Sequence, residues 1–308
     1  MTLPIVFMGT PNFAVPALEA LIQEGYKVVE VFTQPDRPSG RGKKIQIPPV
    51  KKAALEHGLV VSQPKNLTKA IVSQSKSYED CVFVVCAFGR ILSQKILDVP
   101  RETINIHASR LPKYRGAAPI HAALKHGDPS AGVSIMKVVY ALDQGDVMLT
   151  KDTPIEKYDN LGSLTQKLSQ LGSSALIEAL PLVISGRAQW IPQDDRQASY
   201  ASKINPQEAK ILWDQDAEHI YAFIRSYAPK PGAYSYLDGK PVKIIEAYPT
   251  PREGTDHRPG IVIREKKKLV VACGTGAVEI RRIQLQGKKV MAVADFLNGY
   301  TKDIDKLG

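Results

Sequence analysis

Residues 81–87, Cys-Val-Phe-Val-Val-Cys-Ala, are apolar on both faces of any strand they form. Such a strand has to be covered on both sides, as the central strands of a parallel α/β sheet are. The segments around it fit that role. Residues 5–8, 28–33, 59–61, 103–107 and 132–140 read as further short strands, with helical spacing over 13–21 and 50–57 and a stop at Gly58. Strands separated by helices of about ten residues predict βαβ units and an open parallel sheet. Residues 161–184 read as a long amphipathic helix that closes this part.

The pattern then changes. Residues 186–206 are polar, with Pro192, Gln193, Asp194, Asp195 and Asn205, and read as a linker. After a helix over 217–227 come short β-rich pieces at 234–237, 243–247, 260–263, 269–273 and 278–283, split by turns such as Asp238-Gly239. That spacing predicts a small barrel or sandwich. A chain of 308 residues has room for two such domains.

Composition narrows the classes. With 44% hydrophobic and 23% charged residues, disordered, collagen-like and coiled-coil chains are excluded. Three cysteines, two of them inside one apolar run, cannot form a disulfide framework, which predicts a reducing, cytoplasmic setting. They read as core residues, and no His/Cys grouping has metal-ligand spacing. The N-terminus lacks the basic segment of a signal peptide, and no stretch reaches the roughly 18 apolar residues of a membrane span. The net charge of +10 predicts an anionic partner. It is concentrated between Pro35 and Lys52, where Arg37, Arg41, Lys43, Lys44, Lys51 and Lys52 face Asp36 alone. By itself that run fits a solvated loop equally well.

Familiar cofactor motifs are missing. Gly9-Thr10-Pro11-Asn12 follows the first strand but lacks the second and third glycines of a dinucleotide site. The run 40–44 has neither the spacing nor the hydroxyl residue of a P-loop, and there is no G-x-S-x-G elbow.

Asn105-Ile106-His107 ends the fifth strand, placing Asn and His on one face. In open α/β sheets the ligand crevice lies at the carboxyl ends of the strands. A polar loop, residues 108–116, follows directly, and Leu142-Asp143-Gln144-Gly145-Asp146 comes after the next strand. A histidine, a carboxamide and a carboxylate at adjacent strand ends suit acyl transfer. Asn can donate to a developing oxyanion, His can relay a proton, and Asp can orient the imidazole. The same residues also suit a capped strand end and a polar turn.

The run N-I-H-A-S-R-L-P-K-Y-R-G-A-A-P-I, with L-D-Q-G-D downstream, resembles the folate-dependent formyltransferase family. F-M-G-T-P-N-F-A, T-Q-P-D-R-P-S-G-R-G-K-K and the terminal A-D-F-L-N-G-Y extend the resemblance over nearly the whole chain, toward the branch acting on charged initiator tRNA. It implies transfer of formyl from 10-formyltetrahydrofolate to the α-amine of methionine on initiator tRNA, without a metal, in translation initiation. The fold implied is a Rossmann-like catalytic domain over 1–188, a linker over 189–205, and an OB-like tRNA-binding barrel over 206–308. The family's catalytic roles fall on Asn105, His107 and Asp143. Its folate-binding segments fall on Ser109, Arg110, Leu111 and Pro112, where Arg110 replaces the usual leucine, and on Phe88, Gly89, Arg90, Ile91 and Leu92. The basic loop, with Arg37, Arg41, Lys43 and Lys44, then becomes a contact for the acceptor stem. Arg281, Arg282, Lys288 and Lys289 would follow the RNA backbone. The resemblance favours a monomer. The alternatives are a sugar-nucleotide formyltransferase using the same donor and a non-catalytic RNA-binding module.

Overall fold

The computed structural model describes residues 3–39, 44–250, 258–265, 267–300 and 302–308. In chain order the elements are β1 (Ile5–Gly9), α1 (Val15–Gln23), β2 (Val28–Phe32), β3 (Arg37–Ser39), β4 (Lys44–Gln46), α2 (Pro49–Glu56) and β5 (Val61–Ser62). Next come α3 (Leu67–Val72), α4 (Ser75–Tyr78), β6 (Val82–Cys86), α5 (Gln94–Leu97), β7 (Glu102–His107), β8 (Arg115–Gly116), α6 (Pro119–Lys125), β9 (Ser130–Lys137), β10 (Val147–Pro154) and α7 (Leu161–Ile184). The remainder is β11 (Tyr200–Ala201), α8 (Ala217–Tyr227), β12 (Ala233–Leu237), β13 (Lys240–Thr250), β14 (Val262–Glu265), β15 (Lys268–Ala272), β16 (Ala277–Leu285), β17 (Met291–Ala292) and α9 (Val293–Gly299).

The chain forms two compact units that alternate along the sequence: residues 1–116, 131–153 and 165–200 make the first, and 117–130, 154–164 and 201–308 the second.

The first unit is built on a seven-stranded sheet in the order β10-β9-β7-β6-β1-β2-β5. The strands from β7 to β5 are parallel, and β1 and β6 at the centre are buried along their whole length. The sheet is mixed rather than purely parallel, because β9 pairs antiparallel with β7. Periodicity could not reveal this: β9 is buried over six consecutive residues and reads like its parallel neighbours. α7 lies against the sheet. A Cβ at Gly172 would stand 2.8 Å from Ile106 Cγ2, so only glycine lets the helix backbone come this close to the strand that carries His107. Ser169 and Ser173 of the same helix donate to the carbonyls of Phe13 and Pro16, at 2.7 and 3.0 Å.

The second unit holds an antiparallel sheet, β12-β13-β16-β15-β14, with β17 added alongside β16. Register shifts around Glu246 interrupt the β13–β16 ladder, and bulges of this kind bend a strand and curl its sheet. This gives the open, curled form of the small barrel expected from the sequence. Its core combines Ile244, Val271, Val278 and Ile280 with Ile220, Ile224 and Tyr227 of α8. Trp213 is anchored in that core by an Nε1–H bond of 3.0 Å to Ser235 Oγ.

Candidate active site

His107 stands at the end of β7 and is 5% exposed. Asn105, two residues earlier on the same face, is half-buried, and among the described residues its carboxamide has no hydrogen-bond partner, so both its donors are available. His107 Nε2 lies 3.0 Å from the carbonyl oxygen of Tyr114. A carbonyl only accepts, so Nε2 carries a hydrogen in either protonation state and Nδ1 is the nitrogen that gains and loses a proton. Nδ1 faces Asp143 Oδ2 at 3.7 Å. That separation exceeds a direct hydrogen bond and suits charge attraction or a bridging water.

Asp143 reaches this position by a route different from the adjacent strand ends read from the sequence. Because β9 is antiparallel, Lys137 at its end pairs with Ile104, and Val138 N–H bonds the carbonyl of Thr103 at 2.9 Å. The chain therefore leaves β9 on the far side of His107 and has to turn back through residues 138–146. Asp143 adopts φ +51° in that turn, and its Oδ2 accepts the N–H of Gly116 at 2.8 Å. Gly145 closes the turn against β9: a Cβ there would lie 2.0 Å from the carbonyl oxygen of Lys137.

Among the described residues, four non-glycine residues have positive φ: Ala87, Tyr114, Asp143 and Asp238. The first three lie in the loops that surround Asn105 and His107. Backbone strain of this kind, of order 1–3 kcal/mol per residue, collects at sites where geometry is imposed by function.

The two segments expected to bind folate are both tied down. Ser109 is buried, its Oγ donates to the Lys113 carbonyl at 2.5 Å, and its own carbonyl accepts from Ser134 Oγ at 2.8 Å. Leu111 N–H donates to the same Ser134 oxygen at 3.1 Å, and the Leu111–Pro112 peptide is cis. Arg110 is exposed and pairs with Asp152 at 3.3 Å. In the other segment Phe88 and Leu92 are buried, while Ile91 is 83% exposed. The Phe88 carbonyl accepts from Thr10 Oγ1 at 3.0 Å, and the Gly89 carbonyl from Gln34 Nε2 at 2.9 Å. Arg90 donates to the carbonyls of Pro64 and Lys65, at 2.8 and 3.0 Å. Arg110 and Arg90 are thus both engaged by partners in their own unit. Thr10 and Gln34, which brace the Phe88–Gly89 backbone, had no chemical signal in the sequence beyond lying after strands.

In the basic segment, β3 and β4 form a hairpin with Arg37 opposite Gln46 and Ser39 opposite Lys44. Arg37 is exposed, and Arg41 and Lys43 lie outside the described residues. Lys51 is engaged within the fold: its Nζ bonds Asp36 at 2.7 Å and Gln63 Oε1 at 2.8 Å, and the bonds Asp36 accepts from Lys51 and from Gln63 Nε2 hold its carboxyl below its usual range. In the second unit Arg281, Arg282, Lys288 and Lys289 are all exposed, with Arg281 3.0 Å from Glu279. A cavity of about 390 Å³, lined by Tyr158, Tyr221, Tyr248, Arg225 and Arg282 among others, lies in that unit and contains none of the candidate catalytic residues.

The three cysteines are buried and free, and burial pushes the thiols of Cys86 and Cys273 up, the latter to about 12. Among the described residues no group of His, Cys, Asp or Glu could hold a metal ion, and no helix is long and apolar enough to cross a membrane.

A family model for formyl transferases matches residues 3–180, and one for the formyl transferase C-terminal domain matches residues 203–301. The chain belongs to the formyl transferase family. It is 42% identical over 298 residues to the methionyl-tRNA formyltransferase of Moorella thermoacetica, covering 96% of each chain. It is 40% identical over 305 residues to that of Streptococcus pyogenes, covering 98% of this chain and 97% of the relative. Two solved structures share the fold at low identity. The N-formyltransferase of Helicobacter canadensis, solved with folinic acid and dTDP-3-aminofucose, has a TM-score of 0.70 and 20% identity over 91% of this chain and 98% of its own. HypX of Aquifex aeolicus, solved with tetrahydrofolic acid, has a TM-score of 0.67 and 17% identity over 99% of this chain and 49% of its own.

Proposed function

We propose that this chain transfers the formyl group of 10-formyltetrahydrofolate to the α-amino group of methionine on initiator tRNA, the reaction that prepares the first aminoacyl-tRNA of translation. The reading is carried by its 40–42% identity, over nearly full length, to enzymes named for that reaction. The convergence of Asn105, His107 and Asp143 supports it.

The chemistry asks for three contributions from the protein. The neutral amine attacks the formyl carbon, and the carbonyl oxygen gains negative charge. Asn105 supplies amide donors to that oxygen, and His107, protonated at Nδ1, supplies positive charge beside it. Asp143, 3.7 Å from Nδ1, stabilises the imidazolium and helps relay through water the proton that the amine loses after attack, and N10 takes up a proton as the C–N10 bond breaks. The buried position of His107 strengthens these interactions by excluding bulk water.

The folate lies along 88–92 and 109–112. The exposed Ile91 side chain supplies apolar surface that a bound pterin would cover, and the fixed loop backbones supply donors and acceptors. The basic segment that contains Arg37, Arg41, Lys43 and Lys44, and the exposed basic residues of the C-terminal half, meet the tRNA backbone. In this reading residues 1–188 are the catalytic domain and 206–308 the tRNA-binding domain of a cytoplasmic monomer.

The test is acceptor selectivity. Radiolabelled 10-formyltetrahydrofolate is offered with methionyl initiator tRNA, free methionine, uncharged tRNA or a dTDP-amino sugar. Label transferred to the charged tRNA alone is expected. Label on the amino sugar instead would replace this reading with a sugar-nucleotide acceptor, and folate binding without any transfer would leave a binding module.

A further inference from the structure

We infer that Gln193 is a positioning residue for formyl transfer: it sets Asp143 opposite His107 by holding the main chain on both sides of the turn that carries the carboxylate. This rests on the functional reading above. The carboxamide Nε2 donates to the carbonyl of Asp143 at 2.9 Å and to the carbonyl of Gly145 at 2.6 Å. The Oε1 atom accepts two bonds from Arg115, from Nε at 3.0 Å and Nη2 at 2.9 Å. All the hydrogen-bonding groups of one glutamine side chain are thereby used, between a buried guanidinium and a strained turn. Arg115 is 1% exposed, and its charge is met by Asp195 at 2.7 Å.

The arrangement closes a circuit. Arg115 reaches Asp143 through Gln193, while the next residue, Gly116, reaches it directly through its N–H to Oδ2. Asp143 holds φ +51°, which a non-glycine residue keeps only when its surroundings over-determine it. The main-chain grip of Gln193 and the side-chain grip of Gly116 supply that determination. Among the described residues neither Gln193 nor the Arg115 side chain makes a hydrogen bond or ion pair with His107, so their effect on chemistry has to pass through Asp143. The segment carrying Gln193 is itself fixed, since Ile191 exchanges two main-chain bonds of 2.9 Å with Val147, just beyond the turn.

The test is a double-mutant cycle between Gln193→Ala and Asp143→Asn, with kcat and both KM values measured on methionyl initiator tRNA. Displacing a catalytic group by about 1 Å costs up to ~100-fold in rate. Gln193→Ala is therefore expected to lower kcat by about 10- to 100-fold, with either KM changing by less than about threefold. In the Asp143→Asn background the same substitution should change kcat by less than about threefold, because the group it positions has already been disabled. Gln193→Glu keeps the side-chain volume and the contacts to Arg115 but offers no donors to the two carbonyls. It should show the same pattern, and it is the variant to read if Gln193→Ala does not fold. Losses that multiply in the double variant, or an unchanged kcat in the single ones, would overturn the assignment while wild-type transfer stands. No transfer by the wild-type chain would instead refute the functional reading and the assignment with it.

Discussion

Tyr114 and Gly116, two residues apart on one short segment, hold opposite members of a single pair. The carbonyl of Tyr114 accepts from His107 Nε2 at 3.0 Å, and the amide of Gly116 donates to Asp143 Oδ2 at 2.8 Å. Histidine and aspartate come from elements 36 positions apart, yet this one segment bonds to both. Tyr114 pays for the geometry with φ +61°, steadied by its N–H bond of 2.9 Å to Ser199 Oγ.

Asp143→Asn should remove the charge that stabilises the His107 imidazolium while keeping the acceptor for Gly116. Proton-transfer partners typically contribute 10²–10⁴-fold, so kcat is expected to fall by at least about 100-fold. The folate KM should change by less than about threefold, because Asp143 makes no folate contact in this account. Steady-state kinetics with folate varied at saturating tRNA read both. Near-normal turnover would remove Asp143 from the mechanism.

Gly145→Ala places a methyl group against backbone that cannot move aside, 2.0 Å from the Lys137 carbonyl oxygen. A loss of about 1–3 kcal/mol in unfolding free energy is expected, together with loss of activity as Asp143 shifts. Gly299→Ala in α9 is the control, with nothing within 4 Å of the new methyl. It should be neutral or stabilising by up to about 1 kcal/mol. Urea unfolding compares the two.

How much of this was legible before the structure can be judged from particular segments. The helices at 161–184 and 217–227 match α7 and α8 in extent, and the apolar 81–87 run contains β6. These segments declare themselves because burial follows local periodicity. The direction of β9 did not, since a strand buried on both faces looks the same whichever way it runs. The importance of residues 190–200 was also hidden. Gln193 and Asp195 sit in a polar stretch that reads as linker, and their partners, Arg115 and the Asp143 turn, are 48 or more positions away. Asn105, His107 and Asp143 were readable as chemistry because each is polar at the edge of an apolar run. Gln34, bracing Gly89, carried no such contrast.

The basic hairpin makes a prediction about salt. Each phosphate contact contributes about 0.7–0.9 to the slope of log K against log salt concentration. Arg37→Glu with Lys44→Glu should weaken tRNA binding and flatten that slope by about 1.4–1.8. Lys51→Ala should behave differently, lowering the melting temperature with the slope unchanged, because Lys51 is committed to Asp36 and Gln63. Filter binding from about 50 to 300 mM salt separates the two effects.

His121 gives a stability signature in acid. It is buried on α6, edge-on to the Tyr227 ring at 4.5 Å, and among the described residues its Nε2 has no hydrogen-bond partner. Burial first, then the charges of Lys125 and His126, lower its pKa from 6.5 to about 4, with Glu208 opposing. The folded chain keeps the ring neutral while the unfolded chain protonates it near 6.5, so protonation favours unfolding. Stability is therefore lost as pH falls from 6.5 towards 4. His121→Phe should show a shallower decline of melting temperature over that window than the wild type. Parallel curves would show that the ring does not resist protonation in the fold.

We propose that this chain formylates methionyl initiator tRNA by stabilising charge at Asn105, His107 and Asp143. Single-turnover transfer from 10-formyltetrahydrofolate, with enzyme in excess over charged tRNA, tests it most directly in wild type and Asn105→Ala side by side. The wild type should convert methionyl-tRNA to formylmethionyl-tRNA, and loss of the amide donor should slow the step by about 10²–10³-fold. Absence of product with the wild-type chain, or equal rates for the two proteins, would contradict the account.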